Sequence, residues 1–148
     1  MALQVFQGLF ISSAGNGINN DGHGINSDIT PHYPSQYSQI MPYNLFVMSV
    51  GATVSSGQRA SFSNYGSESV SVFAPGGSIL STVPISHSSS GYAYMSGTSM
   101  AAPYVTGVAA LMYSVLENVE HDLTKLQMAS VIKAAIIDGA AYSSQLDG

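Results

Sequence analysis

Cysteine is absent from all 148 residues. That excludes a disulfide framework, a thiolate nucleophile and a cysteine-based zinc site. Positive charge is nearly as scarce. Arg59, Lys125 and Lys133 are the only Lys or Arg residues, and nothing before Arg59 is basic. Gripping a phosphate backbone takes clustered Lys and Arg, so nucleic acid is excluded as a partner. The acidic residues are scattered from Asp21 to Asp147 rather than gathered in a run. A clean membrane span is lacking too. The uncharged stretch from Gly91 to Leu116 is long enough, but Ser96, Gly97, Thr98, Ser99, Pro103, Thr106, Gly107 and Ser114 interrupt it, so no membrane segment is expected. Met1-Ala2-Leu3-Gln4-Val5 has neither a basic start nor a sustained apolar core, and no signal peptide is read there.

What remains is a polar surface of Ser, Asn, Gln, Gly and Tyr, common among extracellular hydrolases, over an ordinary apolar content. The length fits one domain or part of one. Leu9-Phe10-Ile11-Ser12 reads as a buried, parallel-type strand, and the residues before Gly8 as the tail of a helix. Ala14 to Gln39 is rich in Gly, Asn, Ser, Asp and Pro and reads as a long loop. Leu45 to Val50 is a second strand, ended by Gly51. Arg59 to Ser63 is a short extended piece followed by a turn at Asn64-Tyr65-Gly66. Val70 to Ala74 alternates as a strand closed by Pro75-Gly76-Gly77. Ile79 to Val83 is extended, and Tyr92 to Met95 leads into a turn at Gly97.

The helix after Ser99 is apolar on nearly every side, which predicts burial all round, with Gly107 allowing close approach to the sheet. Thr124-x-x-Gln127 is a capping box that opens a second, amphipathic helix, with a stripe of Leu126, Ala129, Ile132, Ala135 and Ile136 and an end at Asp138-Gly139. Strands and helices bounded by glycines predict α/β layers: a mostly parallel sheet with helices on both faces.

Two short motifs carry the chemistry. Gly97-Thr98-Ser99-Met100-Ala101-Ala102-Pro103 sets one serine at the start of the apolar helix, where a hydroxyl suits either a nucleophile or a helix cap. Ser13-Ala14-Gly15-Asn16 follows a buried strand, and an Asn amide there can donate to a developing oxyanion. The nucleophile elbow of α/β-hydrolases, Gly-x-Ser-x-Gly, does not fit, because Ala101 stands where its last glycine belongs.

These motifs resemble those of the subtilisin-like serine peptidases. The Gly97–Pro103 stretch is similar to that family's serine signature and Ser13-Ala14-Gly15-Asn16 to its oxyanion-hole segment. Tyr33-Pro34-Ser35-Gln36-Tyr37, Ser49-Val50-Gly51-Ala52, Phe62-Ser63-Asn64-Tyr65-Gly66 and Ala74-Pro75-Gly76 match family landmarks in order. The resemblance implies a subtilisin-like fold, incomplete at its N-terminal side, and a serine endopeptidase acting on protein or peptide substrates through an acyl-enzyme. It implies Ser99 as nucleophile and Asn16 as oxyanion donor. It implies Ala14, Gly15 and Thr98 at the substrate. His32 aligns with the wall or floor of the pocket for the side chain before the scissile bond, although it reads equally well as an exposed loop histidine. Tyr104 stands where the family usually has His, which bears on local packing rather than on the nucleophile.

The family's aspartate segment and its His-Gly-Thr-His motif have no match in residues 1–148. The resemblance implies that both precede this sequence, so that residues 1–148 are a partial catalytic domain, inactive alone. His23, His32, His87 and His121 follow no strand with an acid partner at suitable spacing, and solvated loop positions are expected for them. No cofactor is required by the chemistry. A structural calcium is the one cofactor the family suggests, with Asp21, Asp28, Asn19, Asn20 and Asn26, or carbonyls near Ser35 and Tyr37, as oxygen donors. An inhibitory propeptide partner and a secreted or vacuolar location are implied in the same way. The alternative is an inactive relative of the family that serves as a binding or regulatory module.

Overall fold

Phe10–Ser13 (β1), Val47–Thr53 (β2) and Val72–Pro75 (β3) lie side by side in that order as a parallel sheet. The computed structural model describes residues 5–17, 22–120 and 122–146. In the sheet Ile11 faces Met48, Ser13 faces Val50, Val50 faces Val72 and Ala52 faces Ala74. β2 is the central strand and is buried along its length up to Thr53, as its near-continuous apolar run predicts. Ile79–Thr82 (β4) and Tyr92–Met95 (β5) form a separate antiparallel pair, with Ile79 opposite Met95 and Thr82 opposite Tyr92.

Two helices follow. Thr98–Glu117 (α1) lays Ala101, Val105 and Ala109 on the row made by Met48, Val50 and Ala52 of β2, and Ile132 and Ile136 of Lys125–Asp138 (α2) join the same core. A residue period of two turns Val47 to the other face of the sheet. There it clusters with Tyr37 and Tyr43, which come from the short 3-10 helices Ser35–Gln39 and Tyr43–Leu45. The α/β architecture and its parallel sheet are thus those of the sequence reading. The Thr124 capping box forms as expected: Thr124 Oγ1 accepts from the Gln127 N–H at 3.3 Å and Gln127 Oε1 from the Thr124 N–H at 2.8 Å.

Several local expectations change. Val5 to Gly8 form no helix. Gly51 does not end β2 but lies within it, because a Cβ there would stand 2.3 Å from the Phe73 ring on the neighbouring strand. Arg59 to Ser63 make a single bridge, Arg59 to Thr53, rather than a strand. In α2, Met128 is buried whereas Leu126 and Ala135 of the predicted stripe are exposed.

The largest departure is α1. Its apolar composition predicts burial on every side, yet Leu111 is 71% and Val115 65% exposed, and Tyr104 and Val108 are about half exposed. A three-stranded sheet offers one surface to one side of a helix, and α2 covers part of another side. Close approach to the sheet comes from Ala101 and Ala109, not from Gly107, where a Cβ would meet nothing within 4 Å. By length and composition α1 could also cross a membrane.

Candidate functional site

Parallel strands all end on the same side, and here the chain places its chemistry beyond those ends. β1 runs out at Ser13, and the Ala14 N–H still pairs with the Val50 carbonyl at 2.9 Å. The next residue, Gly15, turns with φ +101°, a conformation that favours glycine. β3 runs out at Pro75, and Gly76 accepts the Gly97 N–H at 2.9 Å. That bond ties the turn before α1 to the end of the sheet. A Cβ on Gly76 would lie 2.8 Å from the Gly97 carbonyl oxygen, so this close crossing needs glycine.

The two motifs, more than eighty residues apart in sequence, meet at Thr98. Asn16 Oδ1 accepts both the Thr98 N–H and the Thr98 hydroxyl, each at 3.0 Å, and Thr98 Oγ1 in turn accepts the Gly15 N–H at 3.1 Å. An N–H can only donate, so the acceptor atom of Asn16 is fixed as its oxygen. Its Nδ2 therefore projects on the other side, where a Cβ built on Gly97 would stand 3.2 Å away. Thr98, Gly15 and Ala14 are buried, while Asn16 and Ser99 are exposed.

Ser99 is the second residue of α1. Gly97, the residue before the helix, makes no side-chain cap. The Met100 N–H bonds to the Gly97 carbonyl at 3.0 Å, and the Thr98 N–H is taken by Asn16. The positive end of the helix dipole falls on this turn. Ser99 also forms part of the rim of an open pocket of about 330 Å³, lined by Ile79, Leu80, Ser81, Met100, Pro103 and Tyr104. Tyr104 thus enters the wall of that pocket. Pro103 brings no N–H to the Ser99 carbonyl one turn back.

His32 stands against the same turn. Its ring is half-buried, and a Cβ on Gly15 would lie 2.7 Å from His32 Nε2. Nδ1 is 3.0 Å from Ser35 Oγ. Among the other histidines, His23 and His87 are exposed and His121 lies outside the described residues.

One residue essential to this geometry carries no role in the sequence reading. Asn64 is fully buried. Its Oδ1 accepts the Gly17 N–H at 2.8 Å and the Ile25 N–H at 3.1 Å, while its Nδ2 donates to the Ala14 carbonyl at 2.9 Å. Ser63 supports it by accepting the Ala52 N–H at 2.9 Å and donating to the Asn64 carbonyl at 2.9 Å. The available signal was Ser63-Asn64-Tyr65-Gly66 itself, legible as a turn but not as a brace for another loop.

In the oxygen-rich loop the described side chains Asp28 and Asn26 accept backbone N–H groups. Asp28 accepts the Ser69 N–H at 2.7 Å and the Glu68 N–H at 3.3 Å, and Asn26 Oδ1 accepts the Asp28 N–H at 2.9 Å. Partial burial raises the Asp28 pKa, but hydrogen bonds from Ser69, Glu68 and Ser67 outweigh it and hold the carboxyl below its ordinary value. Among the described residues no three acidic or histidine side chains gather as metal ligands. Asn19, Asn20 and Asp21 lie outside the described residues.

An exposed serine in the first turn of α1 thus stands beside an asparagine amide held by that turn, beyond the strand ends of a parallel α/β sheet. The profile of the subtilase family matches residues 4–147, and the chain belongs to that family. It is 40% identical over 110 residues to an extracellular basic protease of Dichelobacter nodosus, covering 72% of this chain and 17% of that protein. It is 41% identical over 110 residues to subtilisin amylosacchariticus of Bacillus subtilis subsp. amylosacchariticus, covering 74% of this chain and 25% of that protein. The structure of the prenylagaramide maturation protease PagA superposes with a TM-score of 0.68 at 28% identity, covering 96% of this chain and 44% of that one. The chain therefore spans a quarter or less of these two curated relatives.

Proposed function

We propose that this chain carries the nucleophile and oxyanion half of a secreted serine endopeptidase, with Ser99 attacking the scissile carbonyl of a protein or peptide. The observation that carries the proposal is the Asn16 amide. Its oxygen is committed to Thr98 at 3.0 Å, so its Nδ2 is left to donate where the carbonyl oxygen gains charge. The uncapped first turn of α1 adds the Ser99 N–H and the helix dipole to the same place. Attack forms a tetrahedral intermediate; its collapse expels the amine and leaves an acyl group on Ser99 Oγ, which water then removes.

Ala14 and Gly15 wall the pocket for the side chain before the cut bond, and the buried Thr98 fixes the distance between that wall and Ser99. The general base and the acid that orients it come from a preceding segment, so residues 1–148 alone are inactive. In this reading α1 is the core helix of a peptidase rather than a membrane span. Secretion and an inhibitory propeptide belong to the same proposal.

A fluorophosphonate probe tests it. In a chain extended to the length of its relatives, Ser99 should be labelled and Ser99→Ala should abolish labelling. A folded extended chain that resists the probe, beside a subtilisin that takes it, would favour a binding module instead.

A further inference from the structure

We propose that Arg59 is a positioning residue for the oxyanion donor: its guanidinium grips the residues on both sides of Asn64, and Asn64 grips the residues on both sides of Asn16. The proposal rests on the reading of Asn16 as that donor.

Arg59 is the only Lys or Arg before Lys125, yet it is half-buried rather than free on the surface. Its Nη1 donates to the Ser63 carbonyl at 3.0 Å, and its guanidinium carbon lies 4.3 Å from the centre of the Tyr65 ring. Ser63 and Tyr65 are the two neighbours of Asn64. The charge strengthens the first contact, and the face of the ring attracts the same cation in the second. A flat guanidinium serves both at once, whereas a lysine ammonium is a compact point charge. The backbone here is anchored to the sheet. Arg59 bridges Thr53 at the end of β2, and the Ala60 N–H bonds to the Ala52 carbonyl at 2.9 Å. The guanidinium therefore acts from a fixed base.

The segment it clamps is sewn to the loop that follows Asn16. The Gly24 N–H donates to the Ser61 carbonyl at 2.8 Å, the Tyr65 N–H to the Ile25 carbonyl at 3.0 Å and the Ser27 N–H to the Tyr65 carbonyl at 2.7 Å. The Ser63 carbonyl lies against Gly24, where a Cβ would stand 1.8 Å from its oxygen, so this crossing leaves no room for a side chain. Between these contacts the Asn64 side chain reaches the Ala14 carbonyl and the Gly17 N–H. The side chain of Asn16 is tied to Thr98, but its backbone is placed by Asn64, and Asn64 by Arg59. A rotation of the Ser63–Asn64 peptide would carry Gly15 and Gly17 with it and move Asn16 Nδ2 relative to Ser99. A misplacement of about 1 Å can cost about a hundredfold in rate even when its cause lies away from the chemistry.

The test is a double-mutant cycle in the chain extended to the length of its relatives, with active sites counted by a fluorophosphonate. Arg59→Ala should lower kcat by about tenfold, less than removal of the donor itself, and leave KM within about twofold of the parent. In an Asn16→Ala background the same substitution should cost nothing further in kcat, because the group it positions is gone. Arg59→Lys, which keeps the charge but not both contacts, should fall between the parent and Arg59→Ala, and it repeats the cycle should Arg59→Ala fail to fold. An equal loss of kcat in both backgrounds overturns the proposal and leaves Arg59 a purely structural residue. So does an unchanged kcat, or a loss confined to KM. A folded parent that resists the probe, or full turnover in Asn16→Ala, rejects the peptidase reading and this proposal with it. A labelled parent that is slowed by Asn16→Ala, with additive losses at Arg59, rejects the role of Arg59 alone.

Discussion

Asn64 and Gly15 are joined backbone to backbone, the Asn64 N–H donating to the Gly15 carbonyl at 2.9 Å, while the Asn64 side chain holds the residues on either side of Gly15. One buried amide therefore shapes the loop that carries Asn16. Replacing it with alanine leaves the Gly17 and Ile25 N–H groups and the Ala14 carbonyl without that partner. Unpaired buried groups cost about 1–3 kcal/mol each, so Asn64→Ala should lose about 3 kcal/mol or more in urea unfolding. A loss near zero would mean that the loop keeps its shape without the brace.

Gly15 itself should tolerate no side chain. Its φ is +101°, and an added Cβ would meet Asn64 Nδ2 at 2.5 Å and His32 Nε2 at 2.7 Å. Strain and overpacking together place Gly15→Ala at least about 2 kcal/mol below the parent. Thermal unfolding measures this, and an unchanged midpoint would contradict the geometry.

Asn16→Ala separates chemistry from folding. Asn16 is exposed, so the fold should survive. In the extended, active chain, turnover should fall by about a hundredfold or more while KM changes little, a magnitude known from subtilisin itself for the loss of such a donor. Equal turnover in parent and variant would remove Asn16 from the mechanism.

Asp28 predicts an acid limb of stability. Its folded pKa lies below the ordinary 3.8, so the unfolded chain binds the proton more readily. The stability this contributes is present above the unfolded value and is lost as pH falls below 3.8 through the folded one. Urea unfolding of Asp28→Asn across that range should show a shallower decline than the parent. Parallel curves would mean that the carboxylate is not held by Ser69 and Glu68.

The strands of the sheet and the Gly-led start of α1 were legible in the sequence for a physical reason, since both are local patterns, whereas the pairing of Ser13–Asn16 with Gly97–Ser99 was implied by the family resemblance. β1, β2, α1 and the Thr124 cap all follow from their own residues. What stayed hidden depends on partners far along the chain. Gly51 looks like a strand terminator until Phe73 is seen to need its space. Asn64 looks like a turn residue until Ala14, Gly17 and Ile25 are brought to it. The exposed Leu111 and Val115 contradict the composition of α1, because composition says how much apolar surface a helix carries and not how much of it the neighbouring strands can cover.

The bare start of α1 has a consequence for anyone stabilising this scaffold. Standard practice would place Ser or Asp before the helix, at Gly97, for roughly a few tenths of a kcal/mol over glycine. A cap side chain accepts from the second or third helical N–H, and at Gly97 the Cβ would sit 3.8 Å from the Ser99 nitrogen and 3.2 Å from Asn16 Nδ2. Gly97→Ser should therefore melt higher and, in an active chain, cut more slowly, since the new hydroxyl would compete with the substrate for the donors of the oxyanion site. The most obvious thermostabilising substitution would act here as a built-in inhibitor.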